Sequence, residues 1–159
     1  MKRGDGDATL RSVGEPRSDL ERSVAGALEP FEDVRVAYLF GSRARGTERA
    51  DSDLDLAVRL RAADVTGRAA LTLDVIAALT DALGALGERV DLLDLDRAGN
   101  EVAFRVIRDG HCLVCRDHAE RVQLEARIAR RYDDERPYRM LFVQAARNAA
   151  DRMGRKNLG

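Results

Sequence analysis

Asp53 and Asp55 are the residues out of keeping with their surroundings. They lie in DLDLAVRL (53–60), a run that otherwise reads as a buried strand through Leu54, Leu56, Ala57 and Val58. Side chains two apart on a strand share a side, so two carboxylates are held next to each other at a sheet end. Like charges that close repel and raise each other's pKa unless a cation sits between them. Stability does not call for such a pair. A divalent cation accounts for it, and Mg²⁺ is the choice where phosphate supplies the other ligands. Asp91 repeats the anomaly ahead of Leu92 and Leu93 in RVDLLDL (89–95). If the two strands are neighbours, three carboxylates meet at one sheet end. Asp94 and Asp96 lie further toward the strand exit and read as a solvated strand end.

Gly41 and Ser42 follow the apolar run VRVAYLF (34–40) directly. Glycine lets a backbone approach a ligand closely, and a serine N–H and hydroxyl at a helix start suit a phosphate. Gly-Ser alone is common in turns. Gly-Ser after one strand, with Asp-x-Asp opening the next, is far more specific. A phosphate cradle then faces a metal-binding pair across one connection. That arrangement suits in-line transfer of a nucleotidyl group with two metal ions about 4 Å apart.

The elements that must position these groups follow from periodicity. Residues 1–17 are polar and Gly-rich and read as a loose arm closed by Pro16. Ser18 and Glu21 form a capping-box pattern, opening a helix to about Glu29 that Pro30 stops. Strands are expected at 34–40, 53–60, 89–95 and 111–115. Thr66 is expected to cap a helix to about Gly84, with Leu71, Val75, Ile76, Leu79 and Leu83 on its apolar stripe. A short helix is expected over 101–108. Asp117 with Glu120 caps a further helical region that Pro137 splits in two. The chain is therefore α/β or α+β, a small mixed β-sheet flanked by helices with further C-terminal helices. Its divisions are the arm 1–17, a domain 18–116 and a helical extension 117–159.

Composition narrows the function. The 27 basic and 28 acidic residues of the 159 leave a net charge of -1, which argues against general nucleic-acid or anionic-membrane binding. No run suggests a transmembrane helix or a signal core, so a soluble, cytoplasmic protein is expected. Only Lys2 and Lys156 are lysines, so 25 of the 27 basic residues are arginine, a bias that GC-rich coding explains. Two cysteines are too few for a disulfide framework. His111, Cys112, Cys115 and His118 resemble a zinc cluster in spacing only. Positions 112 and 115 of a strand point to opposite faces, so zinc and thioredoxin-like chemistry are both rejected. Arg127, Arg130, Arg131 and Arg136 read as a solvated helix face, and Tyr132, Tyr138, Leu141 and Phe142 as core or interface.

VAYLFGSRARGTERADSDLDLAV resembles the signature of the polymerase-β-type nucleotidyltransferases, Gly-Ser followed by Asp-x-Asp. In the form GSRARG then SDLDLAV it is similar to the minimal nucleotidyltransferases called MNT. RVDLLDL resembles that family's third-carboxylate strand. AFRVIRDGHCLVCRD and the segment ending at Asp133 resemble MntA-type antitoxins paired with HEPN toxins. The resemblance implies a nucleotidyltransferase fold, with Mg²⁺ held by Asp53 and Asp55 and a third metal ligand in Asp91, which also helps deprotonate the acceptor hydroxyl. It implies that Gly41 and Ser42 hold the triphosphate of ATP and that Arg45 is the family's arginine after G-S-x-A. Arg43 occupies a variable position and receives no role. The implied activity is AMP transfer from ATP to a hydroxyl, a tyrosine, of a partner HEPN toxin, whose RNase activity is thereby silenced. Two alternatives stand beside it. One is a small-molecule nucleotidyltransferase of the antibiotic-modifying kind, disfavoured because only residues 116–159 remain to build an acceptor pocket. The other is an antitoxin that masks its toxin by binding alone. A neighbouring gene for a small helical HEPN protein would favour the toxin-directed readings.

Overall fold

The fold is a four-stranded mixed sheet with helices on both faces, seen in a computed structural model that describes residues 17–62 and 64–156. Of the expected arm 1–17, residues 1–16 lie outside the described residues. The elements, in chain order, are α1 (Asp19–Leu28), β1 (Val34–Leu39), α2 (Gly41–Arg45), β2 (Leu54–Leu60) and α3 (Val65–Leu83). A 3₁₀ turn (Gly84–Arg89) leads to β3 (Val90–Asp94), α4 (Asn100–Asp109), β4 (His111–Cys115), α5 (His118–Asp134) and α6 (Arg136–Lys156). The strand order is β3-β2-β1-β4. β1 pairs antiparallel with β2 and with β4, and β2 pairs parallel with β3.

Two cores sandwich the sheet. On one face Val34, Ala37 and Leu39 of β1 and Leu54, Leu56, Val58 and Leu60 of β2 meet Val24 and Leu28 of α1 and Val75 and Leu79 of α3. On the other face Val36, Tyr38 and Ala57 meet Ala103 and Val106 of α4 and Leu124 and Ile128 of α5. The alternation along β1 and β2 thus divides one strand between two layers. Tyr132 of α5 stacks on Phe104 of α4 with centroids 4.0 Å apart, and the Arg139 guanidinium of α6 lies 3.7 Å over the Tyr132 ring.

The caps at Ser18 and Asp117 form as expected, with the side chains accepting from the Glu21 and Glu120 N–H groups. Helix α3 starts two residues earlier than expected. Asp64, not Thr66, caps it by accepting from the Gly67 N–H at 2.7 Å. The segment Val65–Arg89 is also, by length and composition alone, apolar enough to cross a membrane, which corrects the expectation that no run is. Its stripe of Leu71, Val75, Leu79 and Leu83 packs on the core, and Val65 and Leu73 stay exposed. Helix α2 was not expected as an element.

The cysteine argument fails on a bulge. Between Ala37 and Tyr38 the β1–β4 register shifts, so Val36 pairs with Cys115 and Tyr38 with Cys112. Both cysteines therefore share the α5 face, beside Arg121. They are free, and burial raises both thiols, Cys112 to about 11, which favours the protonated form. Tyr138, Met140 and Leu141 on α6 are exposed, at 73%, 66% and 68%.

Candidate functional site

The chain leaves β1 at Leu39 and enters α2 at Gly41, at the sheet end where β2 and β3 begin. Antiparallel β1–β2 pairing and parallel β2–β3 pairing bring the β1 exit and both strand entries to one edge. The last bond on the β1 side is from the Phe40 N–H to the Asp55 carbonyl, at 3.0 Å. Asp55 and Asp91 are directly paired in the β2–β3 register, on strands about 4.8 Å apart. Asp53 sits just ahead of β2, exposed, and Asp55 is half-buried.

Gly41 is fixed by two independent requirements. Its φ is +72°, in the left-handed region. A Cβ placed there would meet Asp55 Oδ2 at 1.9 Å and Asp55 Cγ at 2.7 Å. Only a residue without a side chain lets the backbone pass against this carboxylate. Gly46, with φ +66°, closes α2 and turns the chain into the loop before Asp53.

The Asp55 carboxyl is held above its ordinary range. Burial is the main cause, and the nearby Asp91 and Asp53 carboxylates add to it, while Arg45 and Arg43 pull it back. Asp55 thus feels both of the other carboxylates. Among the described residues none of them forms an ion pair. Nor does any group of three or more His, Cys, Asp or Glu side chains among those residues sit ready-made to hold a metal ion. Asp53 and Asp55 are hard oxygen donors, the type that Mg²⁺ takes alongside phosphate oxygens. Arg45 is exposed at the end of α2, close enough to act on Asp55 and on Asp109 of α4.

Asp94 is half-buried and Asp96 exposed at the strand exit, and both have arginine partners. Arg68 donates to Asp94 at 2.7 Å, and Asp96 is ringed by Arg59, Arg68 and Arg127. They lie three or more residues past Asp91 along β3 and its exit, about 10 Å from it. They hold α3 and α5 to the strand and take no part in the site. Arg127 is accordingly an ion-pair partner, not a free face.

Two arginines that carried no sequence signal shape the loop between α2 and β2. Arg43 Nε donates to the Asp53 carbonyl at 3.2 Å, and its Nη2 donates to the Ser52 carbonyl at 2.7 Å. Arg89, two residues before Asp91, donates to the Ala50 carbonyl at 3.2 Å. A cavity of about 370 Å³ lies elsewhere, at the α5–α6 junction, lined by Tyr132, Asp133, Arg136, Arg139 and Met140. None of the three carboxylates lines it.

Residues 23–119 match the family described as polymerase beta, nucleotidyltransferase. No curated protein sequence matches the chain. Solved structures do. One is a toxin–antitoxin complex with AMP-PNP, 23% identical, with a TM-score of 0.64, covering 79% of this chain and 97% of the other. Another holds a tri-AMPylated Shewanella oneidensis HEPN toxin with its MNT antitoxin, at 21% identity and TM-score 0.57, covering 80% and 95%. A third is an MntA–HepT toxin–antitoxin complex, also 21% identical with TM-score 0.57, covering 80% and 96%. At these identities the likeness is one of fold.

Proposed function

Because this chain belongs to the polymerase-β nucleotidyltransferase family, we propose that it is a Mg²⁺-dependent protein adenylyltransferase that transfers AMP from ATP to a tyrosine hydroxyl of a cognate HEPN-type toxin, and so acts as its antitoxin. One observation carries the reading. The Gly41 backbone passes so close to Asp55 that a Cβ would overlap its carboxylate, and Asp55 is paired with Asp91. A backbone suited to a triphosphate and the carboxylates that would neutralise its metal share one strand end.

In this reading Gly41 and Ser42 present backbone N–H groups to the triphosphate, and Arg45 adds positive charge beside it. Asp53 and Asp55, with Asp91, would hold Mg²⁺, which would offset the charge of carboxylates and phosphate alike. Burial is the main cause of the raised Asp55 carboxyl, and a shared cation would relieve the part that Asp91 and Asp53 add. Asp91 accepts the proton of the acceptor hydroxyl at a carboxylate oxygen. The hydroxyl oxygen then forms a bond to the α-phosphorus while the bond from that phosphorus to the bridging oxygen breaks, and pyrophosphate leaves. The division into arm 1–17, catalytic unit 18–116 and helical extension 117–159 belongs to the proposal, as does a soluble, cytoplasmic setting.

A second reading, masking of the toxin by binding alone, is favoured by the exposed Tyr138, Met140 and Leu141 of α6, which offer an apolar partner contact. The test is to incubate the chain with ATP, Mg²⁺ and the protein of the neighbouring gene and to weigh the partner by intact mass. Whole AMP increments that need Mg²⁺ are expected. An unmodified but tightly bound partner would leave masking as the function.

A further inference from the structure

Asp53 has little to hold it. It is exposed, and it lies ahead of Leu54, the first residue of β2 to pair with β3. On the β1 side the ladder ends at Asp55, whose carbonyl takes the Phe40 N–H. Neither packing nor sheet pairing therefore fixes the backbone that carries Asp53. The Arg43 fork takes over that task. It reaches from the middle of α2 and grips two consecutive carbonyls, Ser52 at 2.7 Å and Asp53 at 3.2 Å. The loop it closes is braced further by the Thr47 N–H on the Ser42 carbonyl, at 3.0 Å, and by the Arg49 N–H on Ser52 Oγ, at 2.8 Å.

We propose that Arg43 is a positioning residue for Asp53, tying the strand entry that carries this carboxylate to the same short helix that begins with Gly41 and Ser42. The phosphate-facing backbone and the first carboxylate of the pair are thereby kept as one body. The assignment rests on the transferase reading for its consequence, though not for its geometry. Two of the guanidinium's five N–H groups are committed to backbone carbonyls, which turns the fork toward the loop. A lysine is a single point donor on a flexible stem and cannot span two carbonyls as the planar fork does. The Arg89 bond to Ala50 lies further from Asp53 and supports the loop less directly.

The test uses the full chain with Arg43→Ala, Arg43→Lys and Arg89→Ala. Three readouts are taken: Mg²⁺ titration of ATP binding by calorimetry, kcat and KM for AMP transfer, and amide hydrogen exchange over residues 46–53. Arg43→Ala is expected to raise the Mg²⁺ needed for half-maximal ATP binding. It should lower kcat by about 100-fold, the typical effect of a reacting group misplaced by an ångström, and leave the ATP KM at saturating Mg²⁺ nearly unchanged. Arg43→Lys should not restore either property, and Arg89→Ala should fall between wild type and Arg43→Ala. Exchange over 46–53 should quicken in Arg43→Ala. A raised ATP KM with kcat preserved would instead make Arg43 a phosphate contact and overturn the proposal. So would faster exchange with unaltered Mg²⁺ dependence and kinetics, which marks a purely structural bond. Should wild type itself neither bind ATP with Mg²⁺ nor transfer AMP, the transferase reading fails, and the exchange data alone judge the clamp: unchanged exchange in Arg43→Ala refutes it, quickened exchange upholds it.

Discussion

Gly41→Ala is the substitution whose outcome the geometry constrains most. Two costs are present and can be separated. The first is conformational. A φ of +72° is left-handed, and an L side chain there costs about 1 kcal/mol. The second is steric. The new methyl would lie 1.9 Å from Asp55 Oδ2, 2.7 Å from Cγ and 3.0 Å from Cβ. The cheapest relief is to rotate the Asp55 carboxylate away, because its end is the nearest and most movable atom. Stability then suffers little beyond the conformational cost, while the carboxylate leaves its place by an ångström or more. A displacement of about 1 Å in a reacting group typically lowers the rate by about 100-fold. Gly46→Ala is the matched control. Its φ is +66°, and a Cβ there meets nothing within 4 Å. Both variants should therefore lose about 1 kcal/mol in urea denaturation. Only Gly41→Ala should lose AMP transfer, and Gly41→Val should lose it completely. Equal rates for Gly41→Ala and Gly46→Ala would refute the claim that this backbone passes against a working carboxylate.

Other perturbations bear on separate parts of the molecule. Asp55→Asn should abolish transfer yet raise the melting temperature at pH 7. The raised Asp55 pKa means that the folded state holds its proton better than the unfolded one, so wild-type stability falls as pH rises from 3.8 through the folded value. The gain from Asn should therefore vanish when the melts are repeated below pH 3.8, and a gain that persists there would contradict the assignment. Tyr38 donates to Glu125 Oε1 at 2.6 Å, and the buried Arg121 pairs with Glu125 at 3.2 Å. Tyr38→Phe should lose about 1–3 kcal/mol in denaturation. Arg121→Met, which leaves Glu125 with its Tyr38 bond but without its ion-pair partner, should lose about 3–5 kcal/mol. Asp91→Ala should slow transfer by about two to four orders of magnitude and leave partner co-purification intact. If it still neutralises the toxin in cells without transferring AMP, masking is the mechanism.

Much of the sheet was legible because its strands are β-branched and apolar runs interrupted by carboxylates that a core would reject. Asp53, Asp55 and Asp91 stand out against Leu54, Leu56, Leu92 and Leu93 for that reason, and the parallel register then sets Asp55 beside Asp91. Helix α2 was not legible, since five residues, Gly41–Arg45, are too few to show a period. The two cysteines were misplaced because strict alternation assumes an unbroken ladder, and the register shift beside Tyr38 breaks it. Thr66 and Asp64 are both good caps, and nothing local decides between them. The Arg43 clamp is a tertiary fact. An arginine in a polar loop has no pattern that says which carbonyl it will reach.

The two ends of β2 and β3 treat the same residue type in opposite ways, and that contrast bears on function more than any single distance. The chain is rich in arginine and nearly neutral, so cations are not scarce. At the far end of the sheet they are used fully: Asp94 takes Arg68, and Asp96 takes Arg59, Arg68 and Arg127. At the near end, Arg43 and Arg89 come within reach of the carboxylate loop and spend their donors on backbone carbonyls instead. Among the described residues Asp53, Asp55 and Asp91 are left without a paired cation, and the Asp55 carboxyl is held up by burial and by the other two. A fold selected for stability alone would pair these charges or replace them, because unpaired like charges at one strand end disfavour the native state. In the proposed transferase a shared cation would offset these charges beside the glycine that admits no side chain.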